Sequence, residues 1–165
     1  MDYKKTPFVL LLLIALLGSG VFWFFNKQPL SENMQIRQAT GEIMLSVTET
    51  FEVHPDENRI HWENETYTLS GTVGTTEMQS VISVLDEIQS RKQRTHNIGG
   101  VTVHGPSVHL LVSMEYRIDD RICHVVMTNE RNIMTDLGSE PTVYTLQKGD
   151  IEKIASIIKQ YGIKN

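Results

Sequence analysis

Hydrophobic and polar positions change rhythm several times along the chain, and each rhythm predicts an element. From Pro7 to Phe25 the run PFVLLLLIALLGSGVFWFF carries no charge. As a helix, about 19 residues rising about 1.5 Å each cover about 28 Å, close to the hydrocarbon thickness of a bilayer. Residues 26–41, NKQPLSENMQIRQATG, are polar with one proline and read as a juxtamembrane linker that can begin helical. From Glu42 to Val53 the pattern alternates, with Ile43, Leu45 and Val47 on one side and Phe51 and Val53 further on, which predicts a strand. His54-Pro55-Asp56-Glu57-Asn58 is turn chemistry. Arg59–Trp62 and Thr66–Ser70 then read as two short strands around a turn at Asn64.

A helical period follows. Met78, Val81, Ile82, Leu85 and Ile88 form one stripe in a predicted helix running from Thr75/Thr76 to Arg91, with Thr76 and Gln79 spaced as a capping box. Gly99-Gly100 and Gly105-Pro106 break the next stretch into a loop. Val108 to Thr128 predicts a hairpin with Asp119-Asp120 at its tip. The register that gathers the apolar residues on one face pairs Ile118 with Arg121, Tyr116 with Cys123, Met114 with Val125 and Val112 with Met127. A slip of one residue would turn one strand's apolar set outward, so the core selects the register. Thr128 to Pro141 reads as a long loop, with Ile133-Met134 dipping into the sheet or forming a short strand. Thr142–Leu146 is a further strand. Asp150 N-caps a last helix whose stripe is Ile151, Ile154, Ala155, Ile158 and Tyr161, stopped at Gly162. The expected fold is α+β: an N-terminal transmembrane helix, then a mostly antiparallel sheet with two helices packed on one face.

The domain organisation expected from this pattern is a cytoplasmic tail at 1–6, a transmembrane anchor at 7–25, a linker at 26–41 and an extracytoplasmic domain at 42–165. The rival for the anchor is a cleaved signal peptide, with Gly18-Ser19-Gly20 as the small-residue triplet. Cleavage there would leave VFWFF as a water-exposed terminus, whereas in a retained helix those aromatics form an interfacial belt. Lys4 and Lys5 precede the run and Lys27 follows it, a small positive-inside margin that places the C-terminal domain outside the cytoplasm. Gly18 and Gly20 either loosen the helix or admit a partner helix, as in an assembly subunit.

Charge narrows the partners. The chain is formally −5; residues 1–29 contribute +2, so the remainder carries −7. An acidic domain is a poor match for nucleic acid or an anionic surface. Membrane lipid around the anchor and an envelope protein are the partners expected. One cysteine, Cys123, excludes an internal disulfide and, on the core face of the hairpin, reads as a buried small hydrophobe. The basic cluster Arg91, Lys92, Arg94 and His96 either meets an acidic group or, as preferred, complements a helix C-terminus. Asn64-Glu65-Thr66 matches a glycosylation sequon, a motif common by chance.

No HExxH, CxxC, Walker loop or GxSxG is present. The six histidines show no helical i, i+4 pair suited to a metal. The hairpin register sets Glu115 opposite His124 and brings His109 near Glu130, which reads as solvent-face decoration. Asp119, Asp120 and Asp136 read as turn formers. No catalytic, cofactor or metal residue is assigned. The leading expectation is a non-enzymatic, single-pass protein presenting a small binding or regulatory domain. The alternative is an envelope-associated metal-dependent hydrolase using His104, His109, His124 and Glu115.

The stretches TEMQSVISVLDEI, VHLLVSMEYRIDDRICHVVMT and TVYTLQKGDIEKIASIIKQ, with Tyr144 in the last strand, resemble the YhfM-like family of small extracytoplasmic domains of Gram-positive bacteria over residues 66–161. Members are often lipoproteins, and this chain has no lipobox cysteine. The resemblance implies membrane attachment in a bacterial envelope and brings no catalytic residues with it.

Overall fold

The hairpin at the centre of the sheet has the register that its alternating pattern demands. Ile118 faces Arg121, Tyr116 faces Cys123, Met114 faces Val125 and Val112 faces Met127. Asp119 takes the left-handed conformation at the tip, with φ 51°. The computed structural model describes residues 27–56, 59–92, 109–129, 133–136 and 142–165. The chain forms, in order, β1 (Lys27–Pro29), α1 (Leu30–Met34), one 3-10 turn (Ile36–Gln38), β2 (Ile43–Asp56), β3 (Arg59–Gly71), α2 (Thr76–Glu87), β4 (Gln89–Lys92), β5 (Leu110–Ile118), β6 (Arg121–Thr128), β7 (Ile133–Asp136), β8 (Thr142–Thr145), α3 (Asp150–Tyr161) and β9 (Ile163–Lys164). Among the described residues one sheet runs β1-β4-β8-β7-β6-β5-β2-β3-β9. Every neighbouring pair is antiparallel.

One face of that sheet holds the core. Ile43, Leu45 and Val47 of β2, Val112, Met114 and Tyr116 of β5, and Cys123, Val125 and Met127 of β6 are all buried. Met78, Val81, Ile82 and Leu85 of α2 and Ile151, Ile154, Ala155 and Ile158 of α3 close over them in a single cluster. The mixed α+β class with an antiparallel sheet is therefore observed, with three helices where two were expected. No helix among the described residues is long and apolar enough to cross a membrane. The anchor expected at 7–25 lies outside those residues.

Several expectations need correction. Residues 27–38, expected as linker, are packed into the domain: Leu30 and Ile36 are fully buried and Met34 nearly so. The Leu30 N–H donates to the Ile88 carbonyl at 2.8 Å, and the Tyr116 hydroxyl donates to the Met34 carbonyl at 2.5 Å. Asp86, placed on the wet side of the helix, accepts hydrogen bonds from Ser31 and Arg37 of this segment. Three apolar side chains in a short polar stretch show no period, so only tertiary contact reveals their role.

The two short strands around Asn64 are one strand. Asn64 sits mid-ladder opposite Thr50 and accepts its hydroxyl hydrogen bond at 2.8 Å, which satisfies a side chain that otherwise favours turns. The helix expected to reach Arg91, α2, ends at Glu87, because Ile88 is extended and Gln89–Lys92 joins the sheet between β1 and β8. Arg91 and Lys92 are thus strand residues, and the dipole reading fails for them. The capping box is absent: Thr75 is the N-cap, without a side-chain cap bond, and Gln79 bonds the Val73 carbonyl instead.

At α3 the N-cap is Gly149, and Asp150 is the first helical residue, its carboxylate accepting the Gln147 N–H at 2.9 Å. Gly162 ends the helix with extended backbone rather than a left-handed turn. Its requirement is spatial: an added Cβ would meet the Ile158 and Thr68 carbonyl oxygens at 2.7 and 2.8 Å. That close approach lets α3 turn directly into β9 against β3.

Candidate functional site

The face opposite the helices is left uncovered by the described elements, and its polar residues pair largely with one another. The Ser46 and Ser113 hydroxyls lie 2.7 Å apart and the Thr48 and Thr66 hydroxyls 3.3 Å apart. Their spacing follows from the register that sets Ser46 beside Ser113 and Thr48 beside Thr66. Three large apolar residues interrupt this hydroxyl surface: Met44, Ile122 and Trp62, 49%, 46% and 40% exposed. All three sit at even-numbered positions, which the pleat of β2, β3 and β6 points away from the helices.

At one end of this face a concavity of about 300 Å³ opens between the start of β2, the end of β5 and the start of β6. Thr40, Gly41, Glu42 and Met44 line one side; Glu115, Tyr116, Arg117 and Ile122 line the other. The Thr40 N–H donates to the Arg117 carbonyl at 2.7 Å and fixes the incoming chain against β5. Glu115 also reaches His124, with Oε2 and Nδ1 3.3 Å apart. The site combines apolar walls with carboxylates and a guanidinium, so it can hold a charged group carried on an apolar stem.

The register brings Glu115 and His124 together as expected from the sequence. It does not gather the hydrolase set. His109 precedes β5, six residues from Glu115, or about 20 Å along a strand. There it stacks on Trp62, the ring centroids 6.0 Å apart and the planes at 28°. His104, Glu130, Arg94, His96, Gly18 and Gly20 lie outside the described residues. Among the described residues no group of three or more His, Cys, Asp or Glu side chains is placed to hold a metal. Asp119 and Asp120 form the hairpin tip, and Cys123 is buried.

A second constellation escaped sequence reading because its members are about a hundred residues apart. Lys164 Nζ meets Glu65 Oε1 at 2.6 Å, and the Tyr67 hydroxyl donates to Glu65 Oε2 at 3.1 Å. Lys159 Nζ meets Glu49 Oε2 at 2.7 Å and lies over the Tyr67 ring, 5.1 Å from its centroid. The hydrogen bond from Lys164, then that from Tyr67, holds the Glu65 carboxyl below the usual glutamate range. The same bond raises the Lys164 ammonium above the usual lysine range. These pairs tie the C-terminal strand and helix to β3 and β2. No signal short of the fold itself would have found them.

Comparison with protein-family models, with curated proteins and with solved structures finds no match.

Proposed function

We propose that the chain is a single-pass, membrane-anchored protein that presents its α+β domain outside the cytoplasm as a binding module, without catalysis of its own. The observation that carries this reading is the uncharged apolar run from Pro7 to Phe25, long enough to span a bilayer and followed at Lys27 by the first strand of the domain. The helix, hairpin, Tyr144-bearing strand and isoleucine-rich helix support a relation to the YhfM-like domains. The bare sheet face with its concavity is the surface offered to an envelope protein. Acidic composition favours a partner segment with a basic side chain, whose stem would lie against Met44 and Ile122 and whose charge would meet Glu42 or Glu115.

The test is sidedness together with retention. In intact bacterial cells the full chain should stay with the membrane through alkaline washing, and external protease should reach the domain only after the wall is removed. A mature chain beginning near Val21, or a domain protected from external protease, would overturn the reading. Stoichiometric zinc in the purified chain, lost on His124→Ala, would favour the hydrolase alternative.

A further inference from the structure

We propose that two copies of this chain pair antiparallel through the Arg59–Glu65 stretch of β3, with the two-fold axis at Trp62. β9 covers the outer edge of β3 only at Tyr67 and Thr68, and the Asn165 N–H adds a bond to the Thr66 carbonyl. Among the described residues no strand pairs that edge from Arg59 to Glu65. The direction of its free backbone groups follows from two contacts. Thr50 donates its N–H to His109, toward β5, so the odd-numbered residues of β2 bond to the odd-numbered residues of β3. Thr66 accepts from Asn165 on the outer side, so Asn64 and Trp62 also turn their N–H and C=O groups outward.

An outward-facing residue can lie on a two-fold axis, where it and its copy exchange both backbone hydrogen bonds. Centring the axis on Trp62 sets His61 opposite Glu63, Ile60 opposite Asn64 and Arg59 opposite Glu65. His61 then faces the Glu63 carboxylate on either side of the axis, and the pairing stops where β9 begins. Centring it on Asn64 instead would set Glu63 against Glu65 and drive Trp62 onto Thr66, whose carbonyl Asn165 already occupies. Charged residues on an open edge discourage indiscriminate pairing, and the register centred on Trp62 keeps Glu63 away from both Glu65 and its own copy. The partner is thus a second copy of this chain, and the joined edges make one continuous sheet.

The test is cross-linking of the full chain in detergent micelles. Hydrogen-bonded partners lie about 5.5 Å apart between Cα atoms, within disulfide range. Trp62→Cys should therefore give a disulfide-linked dimer on mild oxidation, against a background set by the buried Cys123. Asn64→Cys should not, because two Asn64 positions would lie about 14 Å apart in this register. His61→Glu should shift the particle to a single chain by light scattering, and His61→Glu with Glu63→His should restore two. The proposal is overturned if Trp62→Cys stays unlinked, if Asn64→Cys links equally well, or if His61→Glu leaves a dimer intact. The last result would assign association to the apolar run and Gly18 and Gly20. None of these outcomes decides on which side of a membrane the domain lies.

Discussion

The two faces of the central sheet are built from the same strands and hold to opposite rules. On the helix side Leu45, Val112 and Val125 vanish beneath α2 and α3. On the other side Ser46 and Ser113 satisfy one another in view of solvent. The pleat alone decides which residue goes where, so a single register commits the strands to a dry side and a wet side at once. The dry side supplies the stability, and the wet side leaves its side chains open to solvent.

The largest losses of stability should come from the dry side. Leu85→Ala or Ile154→Ala should cost about 2–5 kcal/mol, because both side chains are fully buried and leave a cavity. The check is a lower urea midpoint at unchanged slope. Gly162→Ala should cost about 1–3 kcal/mol, since the new Cβ meets two backbone oxygens that cannot swing aside. Unfolding curves and the loss of the β3–β9 pairing by hydrogen exchange would report it. Tyr116→Phe leaves the Met34 carbonyl without its buried donor and should cost about 1–3 kcal/mol, with residues 30–38 losing exchange protection first. On the wet side Ser113→Ala should cost less than about 1 kcal/mol. An effect there as large as at Leu85 would refute the contrast between the faces.

The smallest effect should be a pH dependence at the β3–β9 contact. The Glu65 carboxyl is lowered, so its contribution is present above the ordinary glutamate range and is lost as pH falls through the folded value. Lys164 is raised, so its contribution is present below the ordinary lysine range and is lost as pH rises through the folded value. Both groups are exposed, and solvent screens them. Protection of the Ile163 and Lys164 amides relative to their intrinsic exchange should therefore fall at either extreme of pH, and Glu65→Gln should remove both limbs.

Where burial alternated strictly, the sequence was informative. The β5–β6 register could be read directly because a two-residue tip at Asp119-Asp120 hides Val112, Met114, Val125 and Met127 on one face, which a one-residue slip would not. The same register placed Glu115 against His124. Elements held by tertiary contact were illegible. β4 is Gln-Ser-Arg-Lys, without a hydrophobic rhythm, and it pairs because β1 and β8 flank it. Leu30, Met34 and Ile36 are too few to show a period, though each is buried. The concavity was hidden for the same reason: Met44 and Ile122 come from strands far apart in the chain, and nothing local marks them as neighbours.

The seating of the carboxyl end has a practical consequence. Ile163 and Lys164 lie along β3, and Asn165 reaches back to Thr66, so anything fused after Asn165 departs from the rim of the sheet. A bulky reporter without a spacer would shade the Arg59–Glu65 stretch and depress its cross-linking for reasons of crowding alone. Fusions meant to read that rim belong behind a long flexible tether.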